Sequence, residues 1–126
     1  MKHIAIGENH LYSKVYSKGA KFVGKYVIIY VLKDLKSKVL QKSHPQKLMV
    51  NRIGLTVSKK IGHAVVRSRV KRILREGLRQ TEKVHNIKKG NLIVLVARQS
   101  AIDAKSTDIE KDISKAVHVL KLIESN

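Results

Sequence analysis

Regularly spaced positive charges are the residues of this sequence best suited to chemistry. Lys59 and Lys60 come first, and arginine or lysine then follows at positions 67, 69, 71, 72, 75 and 79. Arginine can bind one phosphate through two parallel hydrogen bonds, whereas lysine acts as a point charge. The segment therefore predicts binding to a polyanion.

The same segment has helical periodicity, which separates its apolar and charged residues. At about 100° per residue, with Val66 set to zero, one stripe is apolar or small: Val66, Val70, Ile73, Leu74, Gly77, Leu78 and Thr81. The opposite side carries cations about 5–6 Å apart: Lys71, Arg72, Arg75, Arg79 and Lys83. Arg67 and Arg69 flank the stripe. The free amides at the helix N-terminus, beside Lys59 and Lys60, add an anion site.

Several functions are compatible with such a helix. A solvated basic face without a partner is one, and a membrane-surface or calmodulin-target helix is another. The latter usually has bulky aromatic anchors, which positions 63–84 lack. DNA binding by a helix-turn-helix requires a short helix just before the recognition helix, and here the preceding residues favour a strand. Nucleic-acid contact is therefore the favoured function, with RNA as the first hypothesis.

Tyrosines form a second candidate group. Tyr12 and Tyr16 share one face of a predicted helix, and Tyr26 and Tyr30 share one face of a predicted strand. Aromatic side chains beside a basic surface can stack on unpaired bases. Half-buried tyrosines of an ordinary core have the same spacing, so both interpretations stay open for each residue.

Catalysis by the protein itself has weak support. Asp108 and Asp112 lie four residues apart and could share Mg²⁺, but acids at a helix start are usually there for the helix dipole. His63 with Lys60 could perform acid–base cleavage of RNA, yet nothing in the sequence fixes their geometry. The six histidines lack metal-ligand spacing. A protein nuclease remains a rival, and a non-catalytic RNA-binding module such as a ribosomal protein is the stronger one.

Composition sets the outer limits. The chain has 126 residues, 43% of them hydrophobic, and a formal net charge of +18 with an isoelectric point near 10.4, which suits one domain that binds nucleic acid. It has no cysteine, which excludes disulfides and thiolate metal sites. Neither a secretory stretch nor an apolar run of about 18 residues occurs. We therefore expect a cytoplasmic protein without a membrane partner.

The elements that must position these residues follow from periodicity and turn signals. We predict one domain, an α/β (α+β) sandwich with the order α-β-β-α-β-α. The helices are expected at 8–18, 63–84 and 107–123, the last with a capping box of Thr107 and Glu110, and the strands at 26–32, 48–57 and 92–97. Strands 48–57 and 92–97 should be parallel, in a βαβ unit. The lysine-rich segment 33–49 is expected to be a flexible basic loop.

Residues 54–79 resemble the protein component of bacterial ribonuclease P. The family signature, roughly Ser-Lys-Lys-x-Gly-Asn-Ala-Val-x-Arg-Asn-Arg-x-Lys-Arg, is matched at Ser58, Lys59, Lys60, Gly62, Ala64, Val65, Arg67, Arg69, Lys71 and Arg72. Tyr12, Tyr16 and Tyr30 stand where the family has aromatic residues, and 93–98 is similar to its last strand. The resemblance covers about residues 6–123.

The resemblance implies a ribonucleoprotein enzyme in which the RNA subunit carries the catalysis. That RNA, with Mg²⁺ in the holoenzyme, hydrolyses the 5′ leader from precursor tRNA, and the protein supplies no catalytic residue and no bound cofactor of its own. The implied partners are the catalytic RNA and precursor tRNA, with no protein partner required. A left-handed βαβ crossover is also implied, against the general right-handed rule.

The implied contacts fall into two groups of residues. Those expected to bind the RNA subunit are Lys59, Lys60, His63, Arg67, Ser68, Arg69, Lys71, Arg72 and Arg75. Those expected to bind the single-stranded leader, in a cleft between the first helix and the sheet, are Tyr12, Tyr16, Tyr30, Lys25 and Arg98.

The sequence departs from the family pattern at three positions. Ser68 and His63 replace asparagines of the signature, and Leu11 replaces the aspartate that usually precedes the aromatic residue of the first helix. Serine loses an amide, and histidine titrates near neutral pH. These exchanges leave the main basic face intact.

Overall fold

One five-stranded sheet with helices on both faces makes up the fold. The computed structural model describes residues 4–123. The elements, in chain order, are β1 (Ile4–Ala5), α1 (Asn9–Lys18), β2 (Ala20–Val23), β3 (Val27–Lys33), α2 (Ser37–Ser43), β4 (Arg52–Thr56), α3 (Ala64–Val84), β5 (Asn91–Ala97) and α4 (Ser106–Val119). The strands lie in the order β1-β4-β5-β3-β2.

Successive side chains of a strand point to opposite faces of the sheet, so the strands contribute to two separate hydrophobic cores, one on each face. The odd-numbered residues of β3, Val27, Ile29 and Val31, are buried with the apolar faces of α3 and α4. On the opposite face of the sheet, Leu92 and Val94 of β5 are buried with residues of α1. The result is three layers: α1, the sheet, and the pair α3 and α4.

The predicted parallel pair is confirmed. Strand β4 runs parallel to β5, with Arg52 opposite Leu92 and Thr56 opposite Val96, and α3 connects them. The α+β class, the single domain, the three predicted helices and the three predicted strands all occur. The handedness of the crossover stays a prediction.

Three elements were missed by the sequence analysis. Strand β1 has two residues, and β2 is a four-residue edge strand whose sequence lacks a β-branched run. Helix α2 lies inside segment 33–49, which was expected to be a loop. Its start is fixed by Asp34, whose carboxylate accepts a hydrogen bond from the Lys36 N–H at 3.0 Å and whose carbonyl accepts one from the Ser37 N–H at 3.1 Å.

The boundaries of two elements differ from those predicted from the sequence. The strand expected at 48–57 is ordered as a strand only from Arg52, and the last helix ends at Val119. The capping box expected at Thr107 and Glu110 is wrong. The carboxylate of Asp108 instead accepts a hydrogen bond of 2.9 Å from the Lys105 backbone N–H, one turn earlier.

A buried ion pair joins the end of β3 to the start of β4. Arg52 donates two hydrogen bonds of 2.7 Å to the two carboxylate oxygens of Asp34, and a longer one of 3.4 Å to Glu8 at the start of α1. Asp34 is 1% exposed and Arg52 is 5% exposed. This clamp therefore fixes α1 and two strands relative to one another.

Candidate nucleic-acid interface

Helix α3 separates its two faces as the sequence predicted. Its inner face buries Val70, Leu74, Gly77, Leu78 and Thr81. Four cations of the opposite face are exposed and Lys71 is half-buried; the exposed ones are Arg72, Arg75, Arg79 and Lys83. We call these five residues the basic face. Arg79 forms an ion pair with Glu76 one turn away, which lowers the pKa of that carboxyl.

The basic face continues into the turn that precedes α3. Lys59 and Lys60 are exposed on a short 3₁₀ turn, and Gly62 follows with φ of +155°. Side chains other than hydrogen are strained at this angle, and a Cβ here would also lie 3.1 Å from Val66. Gly62 therefore places the two lysines beside the free amides of the helix, where an anion is favoured. His63, the N-cap residue, is exposed.

The second turn of α3 includes one arginine whose side chain forms hydrogen bonds that hold the fold together. Arg69 donates hydrogen bonds to the carbonyl oxygens of Ile102, at 2.6 Å, and Ala104, at 3.3 Å. It therefore ties α3 to the segment before α4 while its side chain remains exposed. Arg67 is half-buried, and its buried Nε has no hydrogen-bond partner within residues 4–123. Ser68 is exposed and lines an open depression with Ala64, Val65, Arg69 and Arg72.

Three tyrosines come together where α1 lies on the sheet. The ring centroids of Tyr16 and Tyr30 are 5.0 Å apart in an edge-to-face arrangement, and those of Tyr12 and Tyr16 are 6.4 Å apart. Tyr12 packs over Gly54 of β4, where a Cβ would come within 2.7 Å of its ring. The hydroxyl groups of Tyr16 and Thr56 share a hydrogen bond of 2.8 Å. We call Tyr12, Tyr16 and Tyr30 the aromatic cluster.

The cluster is partly core and partly surface. Tyr12 and Tyr30 are half-buried against the α1 core, whereas Tyr16 is 40% exposed. Burial, and secondarily the neighbouring Tyr16, raises the pKa of the Tyr12 phenol, so this hydroxyl stays protonated at neutral pH. Tyr26 does not belong to the group: it precedes β3 and packs against the core on the other side of the sheet. The expected pairing of Tyr26 with Tyr30 is wrong.

A row of side chains next to the cluster remains accessible on the α1 face of the sheet. Residues directly opposite one another in neighbouring strands share a face, and the register aligns Thr56, Val96, Ile28 and Val23. The first three are half-buried, and Val23 is 52% exposed. This open row extends from the tyrosines toward the turn between β2 and β3.

The turn between β2 and β3 carries Lys25 and is fixed by hydrogen bonds with three side chains. Arg98 donates a hydrogen bond of 2.7 Å to the Gly24 carbonyl, and the Ser100 hydroxyl donates one of 2.6 Å to the Lys25 carbonyl. The buried carboxylate of Asp112 accepts hydrogen bonds from the backbone N–H groups of Tyr26, at 2.7 Å, and Val27, at 3.1 Å. Lys25 therefore lies on a turn that is fixed by these hydrogen bonds. Arg98 stabilises the turn and is also exposed at the surface.

The contacts of Asp112 bear on the metal site that the sequence suggested. Asp112 binds backbone amides, which argues against the Mg²⁺ site considered with Asp108. Among residues 4–123 no group of three His, Asp or Glu side chains can hold a metal ion. In the same part of the chain, no helix is long and apolar enough to cross a membrane.

The chain is similar in sequence to known proteins. The family model described as Ribonuclease P matches residues 1–121. The ribonuclease P protein component of Clostridium acetobutylicum is 36% identical over 98% of this chain and 93% of its own length. That of Clostridioides difficile is 39% identical over 84% and 82%, respectively. The chain belongs to the ribonuclease P family.

Solved structures of this family agree with the fold. The Staphylococcus aureus ribonuclease P protein superposes with a TM-score of 0.71 at 26% identity, over 98% of this chain and all of its own. The Thermotoga maritima protein, at 21% identity and a TM-score of 0.66, shares the fold.

Family membership fixes the general role of the chain. It is a protein subunit of the ribonucleoprotein endonuclease that processes tRNA 5′ ends, and its partner is the ribonuclease P RNA. This decides against the ribosomal-type alternative.

The sequence analysis missed Gly54, Thr56 and Asp112 as residues that shape the interface. Only Gly54, a glycine inside a predicted strand, carried a signal, because such glycines often mark close approach of another group.

Proposed function

We propose that the chain binds its two RNA ligands on different surfaces. The basic face of α3, with Lys59, Lys60, His63 and the Arg67–Arg69 turn, contacts the catalytic RNA. The aromatic cluster and the open row, bordered by Lys25 and Arg98, bind the single-stranded 5′ leader of precursor tRNA.

The assignment of the leader rests on the pairing of Tyr16 with Thr56 beside the open row. A single strand has unpaired bases that stack on aromatic rings, whereas a duplex does not offer them. The 40% exposed Tyr16 is the ring of the cluster that is most available for stacking. The half-buried Thr56, Val96 and Ile28 beside it lie on one face of the sheet, and two of the three are apolar, which suits contact with bases.

The assignment of the catalytic RNA rests on the density of cations on α3. Arg72, Arg75, Arg79 and Lys83 are exposed on one face and lie one turn or less apart. Such a row follows a phosphate backbone without selecting a base sequence. We place the Mg²⁺ of the holoenzyme with the RNA, and expect the assembly to need no other protein and to work in the cytoplasm.

Leader length provides the direct test. The chain is assembled with a bacterial ribonuclease P RNA, and affinity is measured for precursor tRNAs with leaders of increasing length and for mature tRNA. Binding should tighten as the leader lengthens to fill the open row. Tyr16→Ala should weaken precursor binding and leave mature tRNA binding unchanged.

Protein alone and RNA alone serve as controls at low Mg²⁺. Cleavage at the mature 5′ end should need both components under that condition. Equal losses for precursor and mature tRNA in Tyr16→Ala would instead assign Tyr16 to the fold and contradict the leader site.

A further inference from the structure

Two histidines from different helices meet on the side of the molecule away from α1. His85 directly follows the last residue of α3, and His118 lies in the last turn of α4. Their ring centroids are 5.1 Å apart, and the ring planes are nearly perpendicular at 89°. His118 is exposed and His85 is half-buried. Neither residue is among those assigned to RNA, and His85 lies at the C-terminal border of the basic face, beside Arg79 and Lys83.

The hydrogen bonding of His118 leaves one ring nitrogen available. Its Nδ1 lies 2.8 Å from the carbonyl oxygen of Ser114. A carbonyl only accepts, so Nδ1 carries the proton and Nε2 of the neutral ring has a free lone pair. A backbone carbonyl that fixes the tautomer in this way is the usual support of a metal-binding histidine.

The separation of the rings suits a shared metal ion. A Zn–N bond of about 2.0–2.1 Å places each imidazole centroid about 3.2 Å from the metal. Two ligands at a tetrahedral angle then have centroids about 5.2 Å apart. The observed 5.1 Å agrees with this value, although the two rings come from separate helices.

The packing of α3 on α4 keeps these ends together. The helices run parallel: Arg69 of α3 contacts Ile102 and Ala104 just before α4, while His85 and His118 meet at the other end. Midway, a Cβ on Gly77 would lie 2.6 Å from Ile109, so the two backbones approach closely.

The parallel arrangement brings two helix C-termini to one place. Each carries partial negative charge on its terminal carbonyls, which favours a cation. Four cations oppose a metal ion at this end. Arg79 and Lys89 line the depression beside His85, but each is paired with a carboxylate, Glu76 and Glu82, respectively. Lys83 and Lys121 are exposed, and solvent and salt screen exposed charges.

We propose that His85 and His118 form a binding site for a borderline divalent metal ion such as Zn²⁺. Water completes the coordination, because no third His, Asp or Glu joins the pair within the described part of the chain. Imidazole ligands select Zn²⁺, Ni²⁺ or Cu²⁺ over Mg²⁺, which prefers oxygen. The site is therefore separate from the Mg²⁺ of the holoenzyme. A bound ion would cross-link the C-terminal ends of α3 and α4.

Isothermal titration of the full chain with Zn²⁺, in excess Mg²⁺, tests the site. All samples carry His3→Ala so that the N-terminal histidine does not contribute. We expect one ion per chain, and at least about tenfold weaker binding in His85→Ala and in His118→Ala. His10→Ala, an exposed histidine on α1, should bind as the parent does.

Thermal unfolding gives an independent readout. Zn²⁺ should raise the melting temperature of the parent, because an ion that binds only the folded state stabilises it. It should leave that of the His85→Ala/His118→Ala double variant unchanged. Equal affinity in the parent and the double variant would overturn the proposal. So would single variants that each lose half of the bound Zn²⁺ at unchanged affinity, since that result means two separate histidine sites.

Discussion

Tyr16 depends on the hydroxyl group of Thr56 for its position at the edge of the surface that we propose for the leader. Its ring contacts Tyr30 edge-to-face, and its hydroxyl bonds to that of Thr56 at 2.8 Å. Because Tyr16 is 40% exposed, core packing alone restrains it weakly. Thr56 therefore positions Tyr16, in addition to lying in the open row that we propose for the leader.

Removing the Thr56 hydroxyl should weaken leader binding without unfolding the protein. A hydrogen bond of this kind contributes about 0.5–1.5 kcal/mol, so Thr56→Val should bind precursor tRNA about 2- to 13-fold more weakly in the holoenzyme. Tyr16→Phe removes the same bond and should have a similar effect. The double variant should lose little more than either single variant, and additive losses would contradict the coupling.

At the scale of elements, the Asp34–Arg52 pair holds α1 and the sheet in register. Burial alone would raise the pKa of Asp34, but hydrogen bonds from Arg52 and the Lys36 N–H, with the charge of Arg52, outweigh it and lower that pKa. Because the folded-state pKa lies below the unfolded value, the pair stabilises the fold above about pH 3.9. The contribution is lost as pH falls through the lowered folded-state pKa.

Asp34→Asn should therefore destabilise the fold in a pH-dependent way. Removing one partner of a buried ion pair costs about 3–5 kcal/mol, so we expect a loss of that order in the free energy of unfolding at pH 7. The difference between parent and variant should shrink below about pH 3.9. Urea unfolding from pH 3 to pH 7 measures it, with the exposed Asp103→Asn as control. A difference that is constant with pH would contradict the role of the charge.

The elements that sequence predicts well are those with a long periodic signal. Helix α3 has 21 residues and an uninterrupted apolar stripe, so both its faces were predicted correctly. Helix α2 has seven residues, and its start depends on the contacts of Asp34 with Arg52, which lies 18 positions away. The carbonyl contacts of Arg69 depend likewise on a segment 33 positions away. Periodicity carries no information about such long-range partners.

At the scale of the molecule, the two proposed RNA surfaces lie on different layers. The aromatic cluster belongs to the α1 layer, whereas the basic face belongs to α3 on the opposite side of the sheet. The shared turn before α3 links them, since Thr56 ends β4 and Lys59 follows three residues later. One chain can thus hold the catalytic RNA and the leader at the same time, with β4 and this turn fixing the distance between them.

Salt dependence should distinguish cations that contact RNA from those that serve the fold. If about five to seven phosphate contacts form, the log–log slope of affinity for the catalytic RNA against salt should be several units. Arg75→Ala should reduce that slope by about one and leave the melting temperature unchanged, because the Arg75 side chain is exposed. Arg69→Ala should also lower the melting temperature, since its hydrogen bonds to Ile102 and Ala104 are lost. Lys36→Ala, at the start of α2 and outside the basic face, should change the slope least. An equal change in Lys36→Ala and Arg75→Ala would mean that RNA contacts the chain through diffuse charge and not through α3.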